Sequence, residues 1–293
     1  MRAVLRQILL PFLLALVLPI AVSGAAAPAA PQSLLSRIQQ RGVVRVGMCA
    51  GLAPFVVEGK AVDELLLQLA EDPPPIVTLA DGKRLAGFDV ELAIELARVL
   101  GVKLEIVRVD SFDALVPGLL EGRFDLIASG LTRTLARAGK VAFSDPYFSS
   151  GIEILVRDAK RHDSLAALNV PGTRVAFRSA TTAEALVDRR LAKVTRVPIV
   201  SRDAIFAAFD DPSIDAVVVD TLVARDAEVG KRSKTVLQPL EDRRFSTEHL
   251  ALAVPLSEGD WLGWVNLFLR ESKSQGAFHR AASRYNAWFR TER

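Results

Sequence analysis

One cysteine, Cys49, occurs among 293 residues. That excludes a disulfide framework and a zinc site built from cysteines. Histidine is almost as scarce. His162, His249 and His279 stand apart, without the paired spacing a metal site would use. No metal and no cofactor is therefore expected. Charge of one sign is also lacking: 37 basic residues face 34 acidic ones, for a formal net charge of +3. The small basic excess forms no stripe, so no nucleic-acid partner is expected. No GxSxG elbow or histidine-paired nucleophile occurs, which removes the common hydrolase readings. What is present is a globular composition, 50% hydrophobic and 24% charged. The length suits about two domains.

The first 27 residues read as a signal peptide. Arg2 and Arg6 form a positive start, and Ile8–Val22 is apolar. Small residues follow from Ser23 to Ala30, as a cleavage site requires. A permanent membrane anchor is the alternative. The run is short for a span of about 20 residues and contains Pro11 and Pro19. No cysteine follows it, so a lipid anchor on a processed cysteine is not available. The expected location is the periplasm.

The rest of the chain alternates strand-like and helical runs. Val43–Gly47, Leu104–Val109, Asp125–Ala128, Ile152–Arg157, Arg174–Phe177, Asp215–Val219 and Ala251–Val254 are rich in valine and isoleucine and bounded by turn residues. Val90–Leu100 places Leu92, Leu96, Val99 and Leu100 at helical spacing, and Gly101 ends the pattern. Alternation of this kind predicts an α/β protein with largely parallel sheets. An internal repeat adds detail. Residues 111–130, SFDALVPGLLEGRFDLIASG, align without a gap on 201–220, SRDAIFAAFDDPSIDAVVVD. Each copy reads as a short helix, a turn and a buried strand, which suggests two similar lobes. The alternative is chance likeness between two α/β units.

Both copies end in polar residues, Ser129-Gly130-Leu131-Thr132 in one and Asp220 in the other. Open α/β sheets bind ligands beyond the carboxyl ends of their strands, and a cleft between lobes is a favoured site. Short polar side chains with Arg137 five residues on suit an anion, since a guanidinium forks onto a carboxylate. Thr181 and Thr182 stand at a helix start, which also favours an anion. Asp220 ends an apolar strand and suits a cation. Together these residues fit a zwitterion, an α-amino acid. Each residue also has a plainer reading. The threonines and Asp220 could cap helices, and Arg137 and Arg178 could be solvated side chains.

The sequence resembles the bacterial extracellular solute-binding proteins of family 3, the polar-amino-acid receptors of ABC importers, over about residues 34–290. Gly87-Phe88-Asp89-Val90-Glu91-Leu92 matches a signature of that family. So do Phe112-Asp113-Ala114-Leu115 with Gly122-Arg123-Phe124-Asp125, and Ser129–Thr132 with Arg137 and Phe143-Ser144-Asp145-Pro146-Tyr147. Asp215-Ala216-Val217 and Asp220 match its second-lobe motif. The resemblance implies the type II periplasmic binding protein fold: two Rossmann-like lobes, two hinge strands, and a ligand cleft between the lobes. Lobe 1 would hold 35–150 plus 250–293, and lobe 2 would hold 151–249. Crossings would fall near Ser149–Ile154 and His249–Ala253. Thr132 and Arg137 would hold the ligand carboxylate, with backbone near Gly130 and Thr182, and Asp220 the ammonium. Ser129, Thr181, Cys49, Leu52, Phe55 and Phe112 complete the expected ligand set. A monomer that delivers an amino acid to an inner-membrane ABC permease is implied.

Departures from the family pattern matter. Relatives often carry Asp and an aromatic where Cys49 and Leu52 stand, so the resemblance argues against a basic ligand. Arg178 stands where many relatives have an apolar residue or Lys, and could pair with an acidic or amide side chain. Ala180 replaces a usual Gly. Residues 56–86 form an insertion, helical over Ala61–Ala70 and stopped by Pro73-Pro74-Pro75. The sequence also resembles periplasmic cyclohexadienyl dehydratases, which act on prephenate or arogenate. That branch carries a Glu where Val223 stands, and its elimination needs a positioned acid. The binding reading is therefore preferred to the enzymatic one. A sensory module acting in trans on a receptor is a third reading.

Overall fold

The computed structural model describes residues 32–229, 235, 237–242 and 244–289. The expected signal peptide lies outside the described residues. No helix among them is long and apolar enough to cross a membrane.

Two sheets organise the chain. The first runs in the order Lys103–Arg108, Val43–Met48, Leu126–Ile127, Ala253–Pro255, Val141–Phe143. The second runs Thr195–Ile199, Arg174–Arg178, Ala216–Asp220, Phe148–Val156, Gln238–Pro239, with Ser246–Leu250 also paired to Phe148–Val156. Both sheets are mixed, which corrects the expectation of largely parallel ones. Val43–Met48 pairs parallel with both of its neighbours, but Ala253–Pro255 pairs antiparallel with both of its own. In the second sheet everything paired to Phe148–Val156 is antiparallel. The cause is connectivity. The chain leaves the first sheet along Phe148–Val156 and returns along Ser246–Leu250, with Phe148 opposite Leu250. An outgoing and a returning strand lying side by side must run in opposite directions.

Both sheets are covered on both faces. In the second, Ala216 and Val218 face one apolar cluster, with Val175, Phe177 and Leu186, while Val217 and Val219 face another, with Ile205, Phe206 and Phe209. Side chains alternate across a strand, so a strand covered on both faces must be apolar throughout. The first sheet has a smaller cluster with Leu115, Phe124, Ile127 and Ala253 on one face and a large cluster rich in aromatic rings on the other. Phe55, Phe88, Trp261, Tyr285 and Trp288 are each at most 1% exposed. Each ring of that size contributes about 1.5–3 kcal/mol by burial. Phe88 meets Phe55 edge to face at 5.9 Å and Phe278 at 5.1 Å.

The helix read over Val90–Leu100 spans Phe88–Leu100, and Gly101 ends it in the left-handed region at φ 72°. Leu92 and Leu96 face the core as read, but Val99 is 51% exposed. Ala93 and Ala97 take the buried stripe instead, because the helix lies flat on the sheet and small residues allow close approach. Residues 56–86 contain the strands Val57–Glu58, Val77–Thr78 and Arg84–Ala86, paired as a three-stranded sheet, and the helix Lys60–Gln68. Val62, Leu65 and Leu85 join the aromatic-rich core, so this segment is built into the body of the fold beside the first sheet.

Candidate ligand site

A cavity lies where strand ends of the two sheets meet. Its volume is about 60 Å³, several times the about 10–15 Å³ that one water needs. Gly130 and Thr132, just past the strand Leu126–Ile127, line one side. Val218, Val219 and Asp220, the end of Ala216–Asp220, line the other. These are the ends of the two repeat copies. The remaining wall includes Gly51, Leu52, Phe112, Ile152, Arg178, Thr181, Thr182, Ala183 and Ile205.

Arg137 enters from the helix Leu135–Ala138, capped by the Thr134 hydroxyl, which accepts from the Arg137 N–H at 3.2 Å. Its guanidinium donates to Thr132 O at 2.8 Å and, from the second sheet's side, to Ala180 O at 3.1 Å. Burial lowers its pKa from the ordinary value, with Glu248 acting the other way. Arg178 ends the strand Arg174–Arg178 and reaches the opposite way, donating to Gly51 O at 3.3 Å. Both guanidinium carbons lie over the Phe112 ring, at 5.5 Å for Arg137 and 5.6 Å for Arg178. The two arginines therefore bridge the cavity, one from each side.

Asp220 holds the other end. Its Oδ1 accepts from the Leu222 N–H at 2.8 Å, capping the helix Thr221–Val229. Its Oδ2 accepts from the Ser150 hydroxyl at 2.7 Å. Capping and facing the cavity are thus not alternatives, since one oxygen serves each. Burial raises its pKa to about 7. The two hydrogen bonds pull it down, and Glu248 and Glu153 push it further up.

The threonines are used less simply than capping predicts. The Thr181 hydroxyl donates to Arg178 O at 2.7 Å, and Thr181 makes no side-chain cap to the helix Thr182–Arg190. Its turn is held instead by Glu184, which accepts from the Ala180 N–H at 2.7 Å. Ala180 sits at φ 59°, a conformation that glycine adopts without strain.

Three expected site residues do not line the cavity. Ser129 and Cys49 are buried behind it and bond each other, Cys49 N–H to Ser129 Oγ at 3.0 Å and Ser129 Oγ to Cys49 O at 2.9 Å. Burial raises the Cys49 thiol's pKa, although nearby Arg178 opposes it. Phe55 is wholly buried in the aromatic core. Gly130 is at φ 56°, and a side chain there would stand 2.5 Å from Leu52 Cδ2, so the cavity wall closes on a bare backbone.

One residue behind the wall was read only as part of a motif. Asp89 is fully buried, and its Oδ2 accepts from the Gly130 N–H at 2.6 Å and the Tyr147 hydroxyl at 3.0 Å. Its other oxygen has no partner, and burial raises its pKa to about 7. Its signal was an acid between two apolar residues, Phe88 and Val90, in the first turn of a helix. Among the described residues no group of three or more His, Cys, Asp or Glu is arranged to hold a metal ion.

Two mixed α/β sheets with a cavity at their facing strand ends define a type II periplasmic binding protein fold. The family model of "bacterial extracellular solute-binding proteins, family 3" matches residues 66–290, and the chain belongs to that family. It is 28% identical over 271 residues to the L-cystine-binding protein TcyJ of Escherichia coli K12, covering 87% of this chain and 96% of that one. Among solved structures it is similar to the ancestral amino acid-binding protein AncCDT-1, described as a precursor of cyclohexadienyl dehydratase. That match has a TM-score of 0.71 at 31% identity, over 88% of this chain and all of the other. It is also similar to a P235GK mutant of the arginine-binding protein ArgBP from T. maritima, with a TM-score of 0.69 at 33% identity, over 87% and 98% of the chains.

Proposed function

We propose that this protein is a periplasmic receptor that takes up an amino acid or close analogue between its lobes and hands it to an ABC importer. The observation that carries this reading is the polarity of the cavity. Arg137 and Thr132 stand at one strand end, and Asp220 stands at the other. An α-carboxylate on Arg137 and an α-ammonium on Asp220 would satisfy both. Each charge-assisted hydrogen bond would contribute about 1.5–3 kcal/mol.

The lobes are read as 35–150 with 250–293, and 151–249. Phe148–Val156 and Ser246–Leu250 would then be the hinge pair. Their pairing and the Ser149 Oγ contact with His249 Nδ1 at 2.9 Å support a linked bend about these strands. Closure would bring Arg137 to Ala180 and Arg178 to Gly51. The ligand of TcyJ or ArgBP is not carried over, because the residues at 49, 52 and 178 depart from the family pattern.

The test is a thermal-shift screen of the mature protein against the twenty amino acids, several dicarboxylates and prephenate. A ligand at 100 times its Kd stabilises by about 2.7 kcal/mol. Asp220→Ala and Arg137→Ala are expected to weaken the ligand found at least tenfold while leaving the fold intact. An unchanged Kd in both variants would sink the assignment.

A dehydratase is the second reading, favoured by 27% identity over 208 residues to the cyclohexadienyl dehydratase of Pseudomonas aeruginosa. Such an enzyme needs a positioned acid in the cavity. Asp220 is the one carboxyl among the lining residues, and Val223 beside it is apolar. Turnover of prephenate by wild type, lost in Asp220→Asn, would move the case to the enzyme.

A further inference from the structure

The charges on the cavity wall do not balance. Two guanidiniums, Arg137 and Arg178, face one carboxylate, Asp220. Glu248, buried just off the lining, acts on Arg137 and on Asp220, so Arg178 is the guanidinium left with no carboxylate beside it. Among the described residues neither arginine is ion-paired. They bond the backbone carbonyls Thr132 O, Ala180 O and Gly51 O, and Arg178 also meets the neutral Cys49 side chain. Carbonyls supply partial charge only, and a desolvated guanidinium without a counter-ion is costly. Phe112 holds both guanidiniums on one ring, so neither swings away to solvent without losing that stacking.

A neutral zwitterion spanning Arg137 and Asp220 would leave Arg178 without a counter-charge. A cationic amino acid would add a third positive charge. The neighbouring wall offers it nothing, being Leu52 and Gly51 in front of a Cys49 whose thiol burial keeps protonated. A ligand with two carboxylates and one ammonium gives Arg178 a counter-charge as well as Arg137 and Asp220.

Resting on the amino-acid reading above, we infer that the substrate class is an α-amino dicarboxylate, its side-chain carboxylate seated on Arg178. The bidentate fork of arginine suits that group, and the Gly51 and Phe112 contacts orient it in advance.

Calorimetric titration of the mature protein with L-aspartate, L-glutamate, L-asparagine, L-glutamine, L-arginine, L-alanine and succinate tests this. One of the two acids is expected to bind at least tenfold tighter than its amide. Arg178→Gln is expected to weaken that acid at least tenfold and its amide less than threefold, and Arg178→Lys to restore part of the loss. The wild-type ranking decides the matter even if a variant folds poorly. Arginine, alanine or an amide binding as tightly as the acids would overturn the inference and leave the amino-acid reading standing. Succinate binding as tightly as aspartate would overturn the amino part of the assignment. Binding of none of these, with no shift by any other amino acid, would overturn the parent reading and this one with it.

Discussion

Asp89 and Asp220 are held by the same chemistry and put to different uses. Each accepts one backbone N–H and one side-chain hydroxyl: Gly130 and Tyr147 for Asp89, Leu222 and Ser150 for Asp220. Burial pushes both toward about 7. They differ in what lies on the open side. The free oxygen of Asp89 is sealed in the core without a partner. Asp220 keeps a partial exposure, and that exposure is to the cavity. A carboxylate whose burial nothing relieves is a brace. One whose burial a cation can relieve suits the receptor role proposed for Asp220. The two are also linked in series, because Asp89 fixes Gly130 and Gly130 is a wall of the cavity that Asp220 faces.

The largest effect should come from breaking the brace. Asp89→Ala strands the Gly130 N–H and the Tyr147 hydroxyl in an apolar core, at about 1–3 kcal/mol for each group. Denaturant unfolding should show a loss of several kcal/mol, and a loss below about 1 kcal/mol would mean that Asp89 is not a brace. Asp220→Asn should behave oppositely. It keeps the shape, removes a charge that burial disfavours, and leaves the ligand-free protein at least as stable. Its ligand affinity should fall tenfold or more, which is about 1.4 kcal/mol. A variant that lost stability but kept affinity would erase the distinction between the two residues.

A smaller effect is expected at Gly130, where the two residues connect. Gly130→Ala must hold φ 56° with a methyl group against Leu52. The backbone strain costs about 1–2 kcal/mol. Leu52 is a flexible end that can turn, but it turns into the cavity. Affinity should therefore drop further than stability does. Equal losses in the two measurements would argue that the loop is not part of the site.

How much of this was legible beforehand depended on how local each cause was. The strand ends at Gly130 and Asp220 were readable, since the apolar runs and their polar stops are adjacent in sequence. Arg137 was readable from its offset to Thr132. Ser129 and Cys49 were read as facing the ligand, but they bond each other, 80 residues apart, behind the wall. No local pattern distinguishes those two outcomes. Phe55 follows a strand end as a site residue would, yet it is drawn into an aromatic core assembled from Phe88, Tyr147, Phe148 and Phe289. The contacts of Arg137 with Ala180 and of Arg178 with Gly51 are tertiary and left no trace in spacing. The mixed sheets were missed for a similar reason: strand direction at the crossings depends on where the chain returns.

The smallest expected effect is also the sharpest separation of the two carboxylates. Both have folded-state pKa values above the usual carboxylate range. Between that range and about pH 7 the folded protein therefore holds protons that the unfolded chain has released. Stability must then fall as pH rises through this window. The ligand-free protein should melt several degrees lower at pH 8 than at pH 5, given about 2–4 °C per kcal/mol at this size. Asp220→Asn should remove part of that slope, and so should saturating ligand, because an ammonium on Asp220 favours its charged form. Asp89 is out of reach of the ligand's charge, so its part of the slope should survive saturation. Melting curves of wild type and Asp220→Asn, each with and without ligand from pH 5 to 8, measure this directly. If ligand flattened both proteins equally, the ammonium would not sit on Asp220.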